Sequence, residues 1–170
     1  SSTLDILNKH SDRVKMANIA QIVNVLQAMI LTEGNKMVLT PTYHVFKMYN
    51  VHQDAILLPS SLFTEKYKHG EDEIPAISST TSVDKNGKIH VTISNVNPAK
   101  EIKLEINLSG KAITKINSAT ILTASAFNSV NTFEKPETIA PVAFKNAKKL
   151  GDSKLEVTIP GKSIVALELE

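Results

Sequence analysis

The strongest constraint on the fold is the run Ser82-Val83-Asp84-Lys85-Asn86-Gly87-Lys88-Ile89-His90-Val91-Thr92-Ile93-Ser94-Asn95. Its Asn86-Gly87 pair supplies the positive φ angles of a tight hairpin turn. Beyond the turn, Ile89, Val91 and Ile93 alternate with His90, Thr92 and Ser94. Side chains on a strand alternate between faces, so this spacing predicts one dry face and one wet face. The same period recurs at Ile102-Leu104-Ile106-Leu108, at Leu155-Val157-Ile159 and at Ile164 to Leu169, with Gly110, Gly151 and Pro160-Gly161 between. From about residue 51 the pattern predicts seven or eight short strands in a mainly β, antiparallel sandwich. Tyr67 to Pro75, rich in charge and carrying Gly70, reads as an exposed loop.

The first fifty residues carry a different periodicity. Val14, Ala17, Ile19, Ala20 and Val23 recur at helical spacing behind Ser11 or Asp12 as an N-cap, which predicts an amphipathic helix. Ile22 to Leu31 is nearly continuous and β-branched, fitting either a helical segment or a strand buried on both faces. Glu33-Gly34-Asn35-Lys36 reads as a turn, and Thr42 to Tyr49 as a second helix with Pro41 in its first turn. A boundary is expected near residues 50 to 54, dividing 1–50 from 51–170. A lone buried strand needs hydrogen-bonding neighbours, so residues 1–50 belong either to a larger parallel sheet or to a local αβα cap on the sandwich.

Charge and composition narrow the chemistry. The 19 basic and 17 acidic side chains nearly cancel, leaving a formal charge of +2 that argues for neither nucleic acid nor an anionic membrane as partner. With no cysteine, disulfides and thiolate chemistry are excluded. Ile19 to Leu31 is interrupted by Gln21, Asn24 and Gln27 and falls short of a membrane span, and residues 1–15 contain no apolar signal core. His10, His44, His52, His69 and His90 show no spacing of paired ligands on a helical turn, so no metal site and no cofactor is expected. His44 and His52 flank the second predicted helix, where they can hydrogen-bond at the junction with the sandwich.

Three stretches, in order, resemble the family 51 glycoside hydrolases that act as α-L-arabinofuranosidases. The first is Ser11-Asp12-Arg13-Val14-Lys15-Met16-Ala17-Asn18-Ile19-Ala20-Gln21-Ile22-Val23-Asn24-Val25-Leu26, continuing through Leu39-Thr40-Pro41-Thr42-Tyr43-His44-Val45-Phe46. The second is Asn131-Thr132-Phe133-Glu134-Lys135-Pro136-Glu137, and the third is Pro160-Gly161-Lys162-Ser163-Ile164-Val165-Ala166-Leu167-Glu168-Leu169. The resemblance implies a jelly-roll-like antiparallel β-sandwich over residues 51–170, preceded by an αβα remnant of a (β/α)8 barrel over residues 1–50. In that frame Val23 to Leu31 is the eighth barrel strand.

Such enzymes are retaining glycosidases whose two catalytic glutamates lie on upstream barrel strands. The resemblance therefore assigns this chain no catalytic residue and implies that it is inactive alone. Glu134 falls in a family motif but in the sandwich, where a turn or an interdomain contact is expected. Barrel sites form from loops at the C-terminal ends of strands, which makes Glu33, Asn35 and Thr40 candidates for the sugar pocket of the complete enzyme. Arabinose-containing glycans are the implied substrates, and their class favours a periplasmic or extracellular location. The family's sandwich also takes its first strand from the far N-terminus, so an open sheet edge is expected, and with the orphan barrel strand it implies homo-oligomerisation through residues 1–50. The alternative is a stand-alone carbohydrate-binding or assembly module; its weakness is the absence of tryptophan and the presence of only three tyrosines, two of them before residue 51.

Overall fold

In the computed structural model, which describes residues 1–170, two α-helices and thirteen strands follow one another. Helix α1 (Ser2–Lys9) is followed after a long irregular stretch by β1 (Ile30–Glu33), β2 (Lys36–Leu39), α2 (Pro41–Tyr49) and a short 3-10 turn at Asn50–His52. Strands β3 (Ile56–Leu57), β4 (Lys66–His69), β5 (Asp72–Pro75), β6 (Ile77–Val83) and β7 (Ile89–Asn95) come next. The chain ends with β8 (Ile102–Asn107), β9 (Ile116–Thr123), β10 (Val142–Ala143), β11 (Ala147–Lys149), β12 (Lys154–Ile159) and β13 (Ser163–Leu169).

Six strands form one antiparallel sheet in the order β10-β9-β13-β7-β6-β3, and three form a second, β11-β12-β8. Between the sheets lies one apolar core. Ile89, Val91 and Ile93 of β7 and Val165, Leu167 and Leu169 of β13 meet Ile102, Leu155, Val157 and Ile159 of the smaller sheet. Each such aliphatic side chain contributes roughly 1.5–3 kcal/mol when fully buried, so this cluster is the main source of stability. The fold is the expected mainly β sandwich.

Local details depart from the sequence pattern for identifiable reasons. The β6–β7 turn does not place both Asn86 and Gly87 at positive φ; only Gly87 is left-handed, at +80°. The Gly87 N–H donates to the Asp84 carbonyl (3.0 Å), and the Asp84 carboxylate accepts from the N–H of Asn86 (2.8 Å) and of Lys88 (3.0 Å). This is a three-residue loop with a bulge at glycine, the next commonest hairpin closure. The stretch Tyr67 to Pro75 is exposed but not a simple loop, because β4 and β5 pair in register from Lys66↔Pro75 to His69↔Asp72.

The helix expected over Val14 to Val23 does not form. Of the stripe, Ala17, Ala20 and Val23 are exposed and Val14 and Ile19 only half-buried, so it has too little to pack against. A helix of that length is marginal without tertiary support. The buried strand expected over Val23 to Leu31 is also largely absent: Val23 makes one isolated parallel bridge to Ile30, and regular pairing starts only at Ile30. Gln21, Asn24 and Gln27 instead adopt positive φ. The second helix is where the sequence placed it, with Thr40 as N-cap and Pro41 in the first turn.

The expected wet face of β7 is not wet. His90, Thr92 and Ser94 are buried together with Thr80 and Ser82 of β6, because α1, α2 and the 3-10 turn cover that side of the sheet.

Candidate functional site

Where the helices meet the sheet, the buried polar side chains hydrogen-bond to one another. Register places Ser78 opposite Ser94, Thr80 opposite Thr92 and Ser82 opposite His90, forming a ladder of hydroxyls and one imidazole on the outer face. Asp5 of α1 lowers its carboxylate onto this ladder and is only 1% exposed. It accepts from Thr80 Oγ1 (2.7 Å), Ser78 Oγ (2.6 Å) and the Tyr49 hydroxyl (2.9 Å). Three donors on one carboxylate offset the cost of burying its charge. Burial and the adjacent Asp5 charge push the Tyr49 phenol far above its ordinary value. His52 continues the seam, with Ser82 Oγ 2.7 Å from Nδ1 and Thr92 Oγ1 2.9 Å from Nε2. In a neutral ring one nitrogen donates and the other accepts, and a hydroxyl serves either role. Thus His52 does hydrogen-bond at the junction, while His44 stays half-buried within α2.

The second construction is the β1–β2 hairpin and what holds it. Its register runs from Ile30↔Leu39 to Glu33↔Lys36, with Gly34 at φ +58° in the turn. Glu33 and Asn35 stand exposed at the tip. Thr40 lies at the base, about 13 Å from Lys36 at about 3.3 Å per strand residue, so the three candidates do not converge. Its hydroxyl donates to the Ala28 carbonyl (2.8 Å) and accepts from the Tyr43 N–H (3.5 Å) in the cap of α2.

Two asparagines grip the hairpin from opposite sides. Asn24 Oδ1 accepts from the Thr32 N–H (2.7 Å), and its Nδ2 donates to Thr32 Oγ1 (2.8 Å). Asn131, in the sandwich loop before β10, donates to the carbonyls of Leu39 (2.8 Å) and Ile139 (2.9 Å) and accepts from the Ile139 N–H (2.7 Å). Glu134 of the same loop is exposed in a bend, where the sequence expected a turn. Its own backbone N–H and the Thr132 side chain hold its carboxyl below the usual range, with Lys36 of β2 adding to the effect. Neither Asp5 nor Asn131 was identified from the sequence. Asp5 sits in the apolar run Leu4-Asp5-Ile6-Leu7 with no pattern to mark it, whereas Asn131 opens a motif whose charged member, Glu134, drew the attention.

No paired-carboxylate geometry accompanies these features in the two best-defined cavities. The larger, about 910 Å³, lies beside β8 and beneath the Leu58–Phe63 segment, with Glu105 its sole carboxylate. The smaller, about 210 Å³, opens beside Phe127 and has none. The larger one follows from topology: β8 pairs with β12 on one side only, leaving its other edge open over Ser79, Thr81 and Val83. Phe63 and Phe127 are exposed, one at each cavity, and form no joint stacking platform.

Comparison with known proteins accounts for this combination. The family model described as "Alpha-L-arabinofuranosidase C-terminal domain" matches residues 1–163. An intracellular exo-alpha-L-arabinofuranosidase of Bacteroides ovatus is 49% identical over 171 residues, covering 100% of this chain and 33% of that protein. An intracellular exo-alpha-(1->5)-L-arabinofuranosidase of Streptomyces lividans is 26% identical over 143 residues, covering 82% of this chain and 21% of that protein. Among solved structures, the GH51 arabinofuranosidase from Xanthomonas axonopodis pv. citri superposes with a TM-score of 0.94 at 43% identity, over 99% of this chain and 34% of that one. The chain therefore spans a third or less of the curated relatives it matches. Both relatives are named as intracellular, which overturns the periplasmic or extracellular location inferred from the substrate class. By the family match over nearly its whole length, the chain belongs to the alpha-L-arabinofuranosidase C-terminal domain family.

Proposed function

We propose that this chain is the C-terminal part of an exo-acting, retaining α-L-arabinofuranosidase that removes terminal arabinofuranosyl residues from arabinose-containing glycans. The observation that carries this reading is the alignment of the whole chain with a third of an arabinofuranosidase at 49% identity. Residues 51–170 are the supporting sandwich. Residues 1–50 are the last portion of the catalytic (β/α)8 barrel, and the irregular 14–29 segment is where that portion meets the other barrel elements. The exposure of Met16, Ile22, Val23 and Leu26 supports this assignment, since such a concentration of apolar side chains demands a partner.

In this reading the β1–β2 hairpin and its flank contribute Glu33, Asn35 and Thr40 to the wall of the sugar pocket. The first two act from the exposed tip and Thr40 from the base. The open edge of β8 receives a strand from elsewhere in the complete chain, and without it the edge favours homo-oligomers. Light scattering at high protein concentration tests that last point, and a monodisperse monomer refutes it. Neither nucleic acid nor a membrane enters the reading as a partner.

The deciding experiment is hydrolysis of para-nitrophenyl α-L-arabinofuranoside by this chain beside the complete enzyme. Retaining hydrolysis needs two carboxyl groups roughly 5–5.5 Å apart across the scissile bond. Turnover by the complete enzyme alone is the expected result. Turnover by the 170-residue chain would place the catalytic pair within it and overturn the assignment.

A further inference from the structure

The β1–β2 hairpin cannot orient itself. Two four-residue strands form too small a unit to be stable alone, and Glu33 and Asn35 at its tip touch nothing that would fix them. Where the tip stands is therefore decided by what is bonded to the hairpin's flanks. On the β1 side this is Asn24, a neighbour in sequence that moves with the hairpin. On the β2 side it is Asn131, which reaches across from the sandwich over a sequence separation of 92 residues.

Asn131 is 4% exposed, and its amide is divided between two tasks. Its bonds to the carbonyl and N–H of Ile139 close the loop Asn131–Ile139 on itself and seat Ile139 in the small core with Met48, Tyr49 and Leu122. Its bond to the Leu39 carbonyl is not needed for that closure. It ties the finished loop to the last residue of β2, one residue before the Thr40 cap of α2. Two further members of the loop face the same elements: Glu134 feels the charge of Lys36 beside the hairpin tip, and His44 on α2 feels the charge of Glu137. The loop thus runs along the hairpin from its base toward its tip.

From this geometry we infer that Asn131 is a positioning residue. By binding Leu39 it fixes the angle at which the β1–β2 hairpin leaves the sandwich, and so sets where Glu33 and Asn35 stand in the sugar pocket of the complete enzyme. The inference rests on the reading of the hairpin as part of the pocket wall. It makes the sandwich a determinant of substrate affinity, although the sandwich touches no substrate.

The test uses the complete enzyme and para-nitrophenyl α-L-arabinofuranoside, with Glu33→Ala, Asn35→Ala, Asn131→Ala and the Asn35→Ala/Asn131→Ala double variant. Asn131→Ala is expected to raise KM roughly fivefold with little change in kcat, the size that one neutral hydrogen bond supports. In the Asn35→Ala background it adds a smaller rise than in the wild type, because only Glu33 is left at the tip to displace and residues acting through one element are non-additive. Should the alanine variant fail to fold, Asn131→Ser serves: its hydroxyl carries one proton and cannot donate to the Leu39 and Ile139 carbonyls together, and it brings no charge into the buried loop. A lowered melting temperature with unchanged KM would reduce Asn131 to a purely structural residue and overturn the inference. If Glu33→Ala and Asn35→Ala both leave KM unchanged, the pocket reading itself falls, and the inference with it. If either raises KM while Asn131→Ala does not, the inference alone falls.

Discussion

Acid should loosen the seam between helices and sheet, and His52 is the group through which it acts. The ring is wedged between Ser82 and Thr92, and burial, assisted by the neighbouring His90 charge, lowers its pKa from 6.5 to about 4. The groups facing it are His90, itself 3.2 Å from the Asp84 carboxylate, and Tyr49, whose ring centre is 5.8 Å away and whose hydroxyl binds Asp5. A histidine with a depressed folded-state pKa gives stability that is fully present above its unfolded pKa near 6.5 and is lost as pH falls toward about 4. The gap between those values corresponds to about 3 kcal/mol in full, most of which is lost between about pH 7 and about pH 4.5. Urea unfolding of wild type and His52→Gln across that interval isolates the contribution, because carboxylates titrate alike in both. The variant is expected to start less stable at neutral pH and to show a pH profile flatter by about that amount. Parallel profiles, within about 0.5 kcal/mol, would mean that His52 titrates as freely in the fold as in the unfolded chain, and the argument from burial would fail.

Asp5→Ala removes the acceptor of the Ser78, Thr80 and Tyr49 hydroxyls; Ser78 can turn to Ser2 Oγ and Tyr49 to Ser94 Oγ, each 3.3 Å away, and Thr80 is left without an acceptor. The loss expected is about 3 kcal/mol or more, read from the urea midpoint; a loss under about 1 kcal/mol would show that the carboxylate is dispensable. Leu26, 90% exposed, gives a test of the barrel assignment. Leu26→Ala should leave the stability of this chain within about 0.5 kcal/mol and lower that of the complete enzyme by about 2 kcal/mol or more, with equal effects in the two refuting the assignment.

What could be read from the sequence was whatever a local period encodes. Ile89-Val91-Ile93, Leu155-Val157-Ile159 and Ile164 to Leu169 became strands because each has its partners within the chain. Pro41 marked the start of α2 for a reason confined to one turn of helix. The pattern misled where its partner was remote. Val14 to Val23 has helical spacing, but an amphipathic stripe folds only against something, and too little in these residues covers it. The polar side of β7 looked like a solvent face because Thr92, Ser94 and His90 are polar, and alternation cannot tell a wet face from one sealed by a matching polar surface. The hairpin candidates Glu33 and Asn35 could be proposed from the loop after a strand-like run. Asn131 could not, because its role depends on a contact made 92 residues away.

The nature of the seam explains why a sandwich fold can do more than fill space beside residues 1–50. An apolar face would hold α1 and α2 by area alone, and area permits sliding and rotation at little cost. Here Asp5 and His52 are each satisfied only when particular hydroxyls of β6 and β7 stand at hydrogen-bond distance, and a shift by one strand residue would turn those hydroxyls to the opposite face. Leaving either group unpaired in a buried seam costs far more than a displaced methyl group, so one docking is selected over its neighbours. The helix that follows the hairpin is thereby fixed to the sheet through Tyr49 and His52, and the hairpin is fixed to the same sheet's β9–β10 connection through Asn131. Two independent attachments, one at each end of the segment Leu39 to His52, restrict how that segment can move relative to the sandwich. A change in the sandwich that breaks either attachment should therefore appear at the hairpin tip, in a way that no loss of apolar area alone would produce.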